Sequence, residues 1–249
     1  MLAALTACSE TSDPPPASPS DPAVALAHRC GPAVPETADV RPLVLEDGAG
    51  TRLSAAEFAA GGGSDTVMVL LHQTGPGGLC GWGRFAAEAA ARGIGSVALD
   101  LCDYGDSVCA AGVSSTPEVL VDLAANHARE AMGARRVVLV GASMGGSETV
   151  IAVAGGADVD AWVDLSGPST WAGERLLGLA DRVSATGLPG LVAHAPDDDA
   201  LQYAAARRLA RASGARFLDG ASGHGYDLLT GLTGRLRPDG RTVLDFVGT

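Results

Sequence analysis

The chain has no lysine: all 17 of its basic residues are arginine, set against 29 aspartates and glutamates in 249 residues, for a formal net charge of −12. Neutralising a phosphate backbone takes a basic footprint, which a chain of pI near 4.7 does not carry, so nucleic-acid binding is excluded. Anionic lipid headgroups would repel it for the same reason. Also missing is any run approaching the roughly 18 to 20 apolar residues of a membrane span. The cysteines form no Cys-x-x-Cys pair, and none stands at metal-ligand spacing from a histidine. No internal repeat and no second domain are visible. What is abundant is apolar: 47% of residues are hydrophobic and only 18% charged, too apolar for disorder. The length suits a single α/β domain of about 200 to 250 residues with a large core.

Residues Met1 to Ala7 are short and apolar and lead through Leu5-Thr6-Ala7 to Cys8, followed by Ser9-Glu10-Thr11-Ser12-Asp13-Pro14-Pro15-Pro16. This resembles a bacterial lipoprotein export signal, which implies that Cys8 is acylated and becomes the first mature residue. Seven residues are shorter than an h-region and carry no Arg or Lys, so the natural start is expected upstream of Met1. Residues 1–8 are thus read as the remnant of an export signal and 9–38 as a Pro/Ser-rich extended tether, leaving 39–249 as the folded domain. Cys30, Cys80, Cys102 and Cys109 remain, an even number, and two disulfides outside the cytoplasm are expected. Three connectivities are open. Pairing Cys102 with Cys109 closes a short loop, worth about 2.5 kcal/mol in chain entropy, and leaves Cys30 for Cys80.

After the tether, Arg41 to Glu46 and Thr51 to Ala55 flank Asp47-Gly48-Ala49-Gly50, a hairpin signal. Beyond it the pattern alternates. Short apolar runs at Val67–Leu71, Ser96–Leu99, Arg136–Val140, Ala161–Leu165, Gly190–Ala193 and Ala215–Leu218 predict strands buried on both faces. Helices are predicted over Trp82–Arg92, Thr116–Met132, Gly145–Ala154, Glu174–Val183, Leu201–Ala212 and Asp227–Leu236, with a short terminal stretch Thr242–Val247. The second of these is expected to start at a capping box of Ser115 and Glu118, with Pro117 in the first turn. Alternation of this kind makes a three-layer, doubly wound, mostly parallel sheet, whose site lies at the carboxyl ends of the strands.

One motif sits at such an end. Gly141-Ala142-Ser143-Met144-Gly145-Gly146 directly follows a predicted strand and opens a predicted helix. Glycines two residues either side of a serine allow a turn so tight that any side chain there would collide, and the turn lifts the Ser143 hydroxyl above the sheet. At these residues, and from about Arg41 to the end, the sequence resembles the α/β-hydrolase fold family. The resemblance implies a nucleophile after the fifth strand, an acid after the seventh or sometimes the sixth, and a histidine after the eighth.

A serine needs a base. His28 lies in the tether, His127 mid-helix and His194 at a strand end, whereas His224 stands in Ala221-Ser222-Gly223-His224-Gly225-Tyr226, a flexible loop after the last strand, and is the candidate base. After the seventh strand the chain reads Ala195-Pro196-Asp197-Asp198-Asp199, and three adjacent aspartates cannot all point inward. The family's spacing favours Asp198 as the acid. Asp197 and Asp199 stay open, one of them as a cap for the next helix, and Asp164 at the end of the sixth strand is a weaker alternative. Leu71-His72-Gln73-Thr74-Gly75-Pro76-Gly77-Gly78 resembles the family's His-Gly-x-Pro loop with Gln73 where Gly is usual. Met144 supplies one oxyanion amide on this reading, and Thr74, or failing it Gln73, the other; His72 is read as structural. Trp82 and Trp171 are candidates for the pocket wall or for packing of helix on sheet.

The expected activity is hydrolysis of a carboxylic ester through an acyl-enzyme, as in small carboxylesterases or dienelactone-hydrolase-like enzymes. A peptidase, thioesterase or acyltransferase with the same triad, or an exported lipoprotein on a retired hydrolase frame, are the alternatives. Little more than one helix fits between Gly167 and Pro189, so no large cap or lid is expected. No metal or organic cofactor is implied, the only membrane contact is through the lipid anchor, and the protein is expected to be monomeric with a small-molecule ester as its partner.

Overall fold

A computed structural model describes residues 22–231 and 234–249. Its main sheet has eight strands in the order β1-β2-β4-β3-β5-β6-β9-β10. These are β1 (Val40–Glu46), β2 (Arg52–Phe58), β3 (Thr66–Leu71), β4 (Gly95–Leu99), β5 (Arg136–Ala142), β6 (Ala161–Leu165), β9 (Gly190–His194) and β10 (Arg216–Asp219). The β1–β2 hairpin forms over the predicted turn, where the Asp47 carboxylate accepts from the amides of Ala49 and Thr51. β2 also pairs antiparallel with β4, and every other pairing from β4 to β10 is parallel. Helices carry the chain between parallel neighbours.

The sequence explains why both faces are covered. Val67, Val69 and Leu71 of β3, with Val137 and Leu139 of β5, face a core completed by α3 (Pro117–Glu130), α4 (Met144–Gly155), α5 (Leu176–Ala185) and α6 (Ala200–Ser213). Met68, Leu70, Val138 and Val140 point the other way, against α1 (Pro22–Cys30), α2 (Gly83–Ala90) and α7 (Pro238–Val247). Alternate residues thus serve opposite layers, which is why the central strands read as unbroken apolar runs. Between β6 and β9 lie only the two-residue strands β7 (Thr170–Trp171) and β8 (Glu174–Arg175), which pair as a hairpin, and α5.

The register aligns the strand ends. Leu71 stands opposite Gly141, and Ala142 opposite Leu165, which in turn faces Ala193. The residues that follow, His72, Ser143, Ser166 and His194, therefore share one rim of the sheet.

Three expectations differ from the structure. The stretch read as tether is a helix over Pro22–Cys30, because Leu26 and Cys30 are buried against the Trp82 layer and Arg29 makes two hydrogen bonds to the fully buried Asp100. Residues 1–21, including Cys8, lie outside the described residues. The α3 helix begins at Pro117 with Thr116 in the capping position and no side-chain cap bond; Glu118 turns away and packs against Gly155 of α4. Finally, no helix spans Asp227–Leu236. A 3-10 turn over Gly225–Leu228 gives way to a bridge between Thr230 and Leu236, with residues 232–233 outside the described set. Gly234 adopts φ +77°, and Arg237 must be extended ahead of Pro238, so a continuous helix is blocked.

The cysteines pair as Cys30–Cys80 and Cys102–Cys109. The first spans 50 residues and clamps α1 to the loop after β3; the second spans 7. Loop-closure entropy scales with the logarithm of these spans, giving about 4 and about 2.5 kcal/mol. Replacing both Cys30 and Cys80 by alanine is therefore expected to lower the unfolding free energy more than the same change at Cys102 and Cys109, as read by urea titration; the reverse order would show that α1 contributes little to the fold.

Candidate active site

The turn from β5 into α4 bears the candidate nucleophile. Ser143 has φ +50° and ψ −115°, a conformation costing about 1–3 kcal/mol for a residue with a side chain. Neighbouring strands hold it there. The Ser143 amide donates to the Leu165 carbonyl at 2.8 Å, and the Gly145 amide to the His72 carbonyl at 3.2 Å. Glycine is required on both sides: a Cβ on Gly141 would overlap the Gly145 carbonyl, and one on Gly145 the Leu71 carbonyl. The result is a serine at the rim, 7% exposed, at the mouth of a helix whose first amides lack intrahelical acceptors.

His224 follows β10 in a loop flanked by Gly223 (φ +102°) and Gly225 (φ +52°). Its Nδ1 donates to Asp198 Oδ2 at 2.7 Å, which leaves Nε2 on the far side of the ring without a hydrogen bond among the described residues. The next residue lies beside the residue that precedes Ser143. The Gly225 amide donates to Ser166 Oγ at 3.2 Å, and a Cβ built on Gly225 would lie 3.4 Å from that of Ala142, the neighbour of Ser143.

The three adjacent aspartates divide the work. Asp197 Oδ1 accepts from the Gly223 amide at 3.3 Å, steadying the histidine loop. Asp198 takes His224 and lies 3.7 Å from Nε2 of the buried His194. Asp199 caps α6 by accepting from the amides of Leu201 and Gln202. Asp164 is elsewhere: it is fully buried beneath α4, accepts from the Gly167 amide, and burial pushes its carboxyl up to about 7.

On the opposite side of the rim, His72 is buried and its tautomer is set by its partners. The Leu101 amide donates to Nε2, so the proton resides on Nδ1 and is donated to the Gln73 carbonyl. Burial lowers its pKa, so the ring stays neutral and structural. The Gln73 amide, one of the two oxyanion candidates in this loop, donates to Tyr226 Oη at 2.9 Å and is thereby occupied. The Thr74 amide has no such partner among the described residues. Trp82, a candidate pocket wall, is instead wholly buried against Phe85 and Tyr226. Trp171 does line a cavity beside Met144. Among the described residues no cluster of His, Cys, Asp and Glu could hold a metal ion.

No protein-family model matches the chain, and no curated protein is similar to it in sequence. Solved structures are similar in shape. TT1662 from Thermus thermophilus superposes with a TM-score of 0.62 at 19% identity, over 85% of this chain and 97% of that one. The esterase Pf2001 of Pyrococcus furiosus gives 0.65 at 12% identity over 85% and 93% of the two chains. The enol-lactonase of Burkholderia xenovorans gives 0.61 at 18%, over 84% of this chain and 100% of that one. The chain has the α/β-hydrolase fold.

Within the α/β-hydrolase fold, the serine turn stands after the fifth strand of the main sheet, the aspartates after the seventh and the histidine after the eighth, as the resemblance implied. What sequence reasoning missed is the side chain of Gln73. Its Oε1 accepts from the Tyr226 amide at 3.5 Å while its own amide is held by the Tyr226 hydroxyl, so the loop after β3 and the histidine loop are tied together. Tyr226 could have been suspected only from its place two residues after His224.

The buried Asp164 generates a stability prediction. Its pKa is raised in the folded state, so the native protein binds more protons than the unfolded chain between about pH 4, the unfolded value, and about 7. Its contribution is least unfavourable below pH 4 and becomes destabilising as pH rises to 7. Asp164→Asn, which keeps the acceptor for Gly167, should remove this fall, so that the variant gains stability relative to wild type between pH 4 and 8 in paired thermal melts. Parallel curves would show that Asp164 stays ionised.

Proposed function

We propose that the protein is a serine hydrolase acting on carboxylic esters through an acyl-enzyme on Ser143. The observation that carries this reading is the 2.7 Å bond between His224 and Asp198, on a loop whose next residue abuts the residue before the strained Ser143. The folds of an esterase and an enol-lactonase, both enzymes opening ester-type bonds by their names, support it.

In the mechanism that follows, Asp198 accepts from Nδ1–H and so fixes the tautomer that leaves a lone pair on Nε2. Nε2 takes the Ser143 proton as Oγ attacks the ester carbonyl carbon. The carbonyl oxygen, now anionic, is held by the amides of Met144 and Thr74 and by the positive end of α4, each amide contributing about 3 kcal/mol. The imidazolium then gives its proton to the departing alkoxide. Water enters, loses a proton to His224, attacks the acyl carbon, and Ser143 Oγ leaves with that proton.

Ser143→Ala should fold normally yet lose labelling by a fluorophosphonate probe and all but about 1% of turnover of a short activated ester. Of single Asn replacements at Asp197, Asp198 and Asp199, only Asp198→Asn should cost roughly 10³-fold or more in kcat, since the other two carboxylates do not touch His224. His224→Ala should cost at least as much in kcat as Asp198→Asn, since it removes the base itself rather than the group that orients it. Three mild losses at the aspartates would return the acid to Asp164.

The reading extends to location. Two disulfides suit an oxidising compartment, and no helix among the described residues is long and apolar enough to cross a membrane, so attachment would rest on an acylated Cys8. In the native host the protein should fractionate with membranes and resist high salt, because a diacylglycerol supplies two chains at about 0.8 kcal/mol per buried CH₂. Cys8→Ala should release it. A soluble wild type with four free thiols among Cys30, Cys80, Cys102 and Cys109 would overturn this assignment.

A further inference from the structure

A cavity of about 490 Å³ opens beside Met144, the residue after Ser143, between Tyr104, Leu120 and the hairpin that carries Trp171. Glu148 is part of its lining. A second cavity of about 250 Å³ lies against the same Glu148 and Trp171 and is bordered by Glu118, Glu174 and Arg182. The residues common to both include Glu148 and Trp171, joined by a hydrogen bond from Trp171 Nε1 to Glu148 Oε1 at 3.1 Å. The other carboxylate oxygen has no partner among the described residues.

A carboxyl at this place is costly and otherwise unused. Glu148 belongs to α4, where the helix packs on the sheet between buried Ser147 and Thr149, and it takes no part in the chemistry at Ser143. Burial pushes it up to about 7, with the Trp171 N–H pulling the other way. A carboxyl that borders both cavities and has one oxygen free of hydrogen bonds among the described residues gains most from a cation.

The surroundings match that charge. Asp103 from the loop after β4 lines the larger cavity, and Glu118 from α3 and Glu174 from β8 line the smaller one, with one arginine, Arg182 of α5. Arg182 is engaged with the Ala154 carbonyl rather than with Glu148. Tyr104 and Trp171 supply aromatic surface next to the carboxyl, the setting in which ammonium groups bind well.

Helix geometry sets the scale of the cation's distance from the reacting bond. Met144 and Glu148 are four residues apart on α4 and so stack on one face, roughly 6 Å apart along the axis. We infer that this cavity receives one arm of the substrate and that Glu148 makes it selective for esters carrying a cationic amine about one helical turn from the scissile carbonyl. The inference rests on the ester-hydrolase reading for its chemistry but not for its binding site.

The test compares isosteric ester pairs on wild type and Glu148→Gln, a change that preserves the acceptor for Trp171. One pair places the amine on the acyl side, p-nitrophenyl 6-aminohexanoate against p-nitrophenyl heptanoate. The other places it on the alcohol side, 5-aminopentyl propanoate against hexyl propanoate. In at least one pair, at pH 8, the ratio of kcat/KM for the amine over its neutral partner should fall at least tenfold in the variant. Unchanged ratios in both pairs would overturn the proposal while leaving the hydrolase intact. If no ester is turned over and Ser143 is not labelled, the hydrolase reading has failed, and the pocket is judged by calorimetry instead. Hexylammonium should bind wild type at least tenfold more tightly than hexan-1-ol does, and Glu148→Gln should remove the difference; equal affinities, on wild type alone should the variant not fold, would overturn it.

Discussion

Everything at the rim of this sheet depends on one strained residue. Ser143 cannot hold φ +50° by itself, and it is held because the ends of β3 and β6 grip the turn through the His72 and Leu165 carbonyls. That grip needs both strands within hydrogen-bonding distance of the turn, which in turn needs glycine at 141 and 145. A few kcal/mol of local strain is thus supported by the burial of a whole parallel sheet. The consequence is a hydroxyl and a set of helix amides fixed in place before any ligand arrives, which is the condition for electrostatic stabilisation without reorganisation.

Around that point the loops are tied to one another. Gln73 and Tyr226 exchange two hydrogen bonds, joining the loop after β3 to the loop that carries His224. Behind Gln73, the imidazole of His72 joins its own carbonyl neighbour to the Leu101 amide after β4. Asp100, next to Leu101, holds the Leu79 amide and the Arg29 guanidinium, so helix α1 is bolted onto the same rim by an ion pair and by Cys30–Cys80. Because Asp100 is wholly buried, removing Arg29 would leave an uncompensated charge, and the N-terminal helix is in this sense part of the site's support.

Burial also sorts the acids. Asp198, in contact with His224 and near His194, sits where a carboxylate has polar company, whereas Asp164 and Glu148 sit where it has little, and both carboxyls are driven to about 7. Asp164 has the Gly167 amide as partner and is closed over by α4. Glu148 differs in facing open space, and this is the physical reason to assign it a ligand rather than a packing role.

The features legible in the sequence were those set by local chemistry. The period-2 and continuous apolar runs specified the strands, the Asp-Gly turn the hairpin, and glycines around Ser143 a turn that no other residue could make. Where the sequence offered several chemically equivalent groups, distant partners chose among them. Asp197, Asp198 and Asp199 are alike in sequence, and only the position of a loop 26 residues further on gives the middle one to His224. Gln73 and Thr74 present the same amide, and a hydroxyl 153 residues away occupies the first. Residues 22–30 follow a Pro/Ser-rich segment and read with it as tether, whereas Asp100, 71 residues from Arg29, anchors them as a helix on the sheet. Local propensity acts within a turn or two of the chain, whereas the choice between equivalent donors and carboxylates is made by strand order and register, which bring remote segments to one edge.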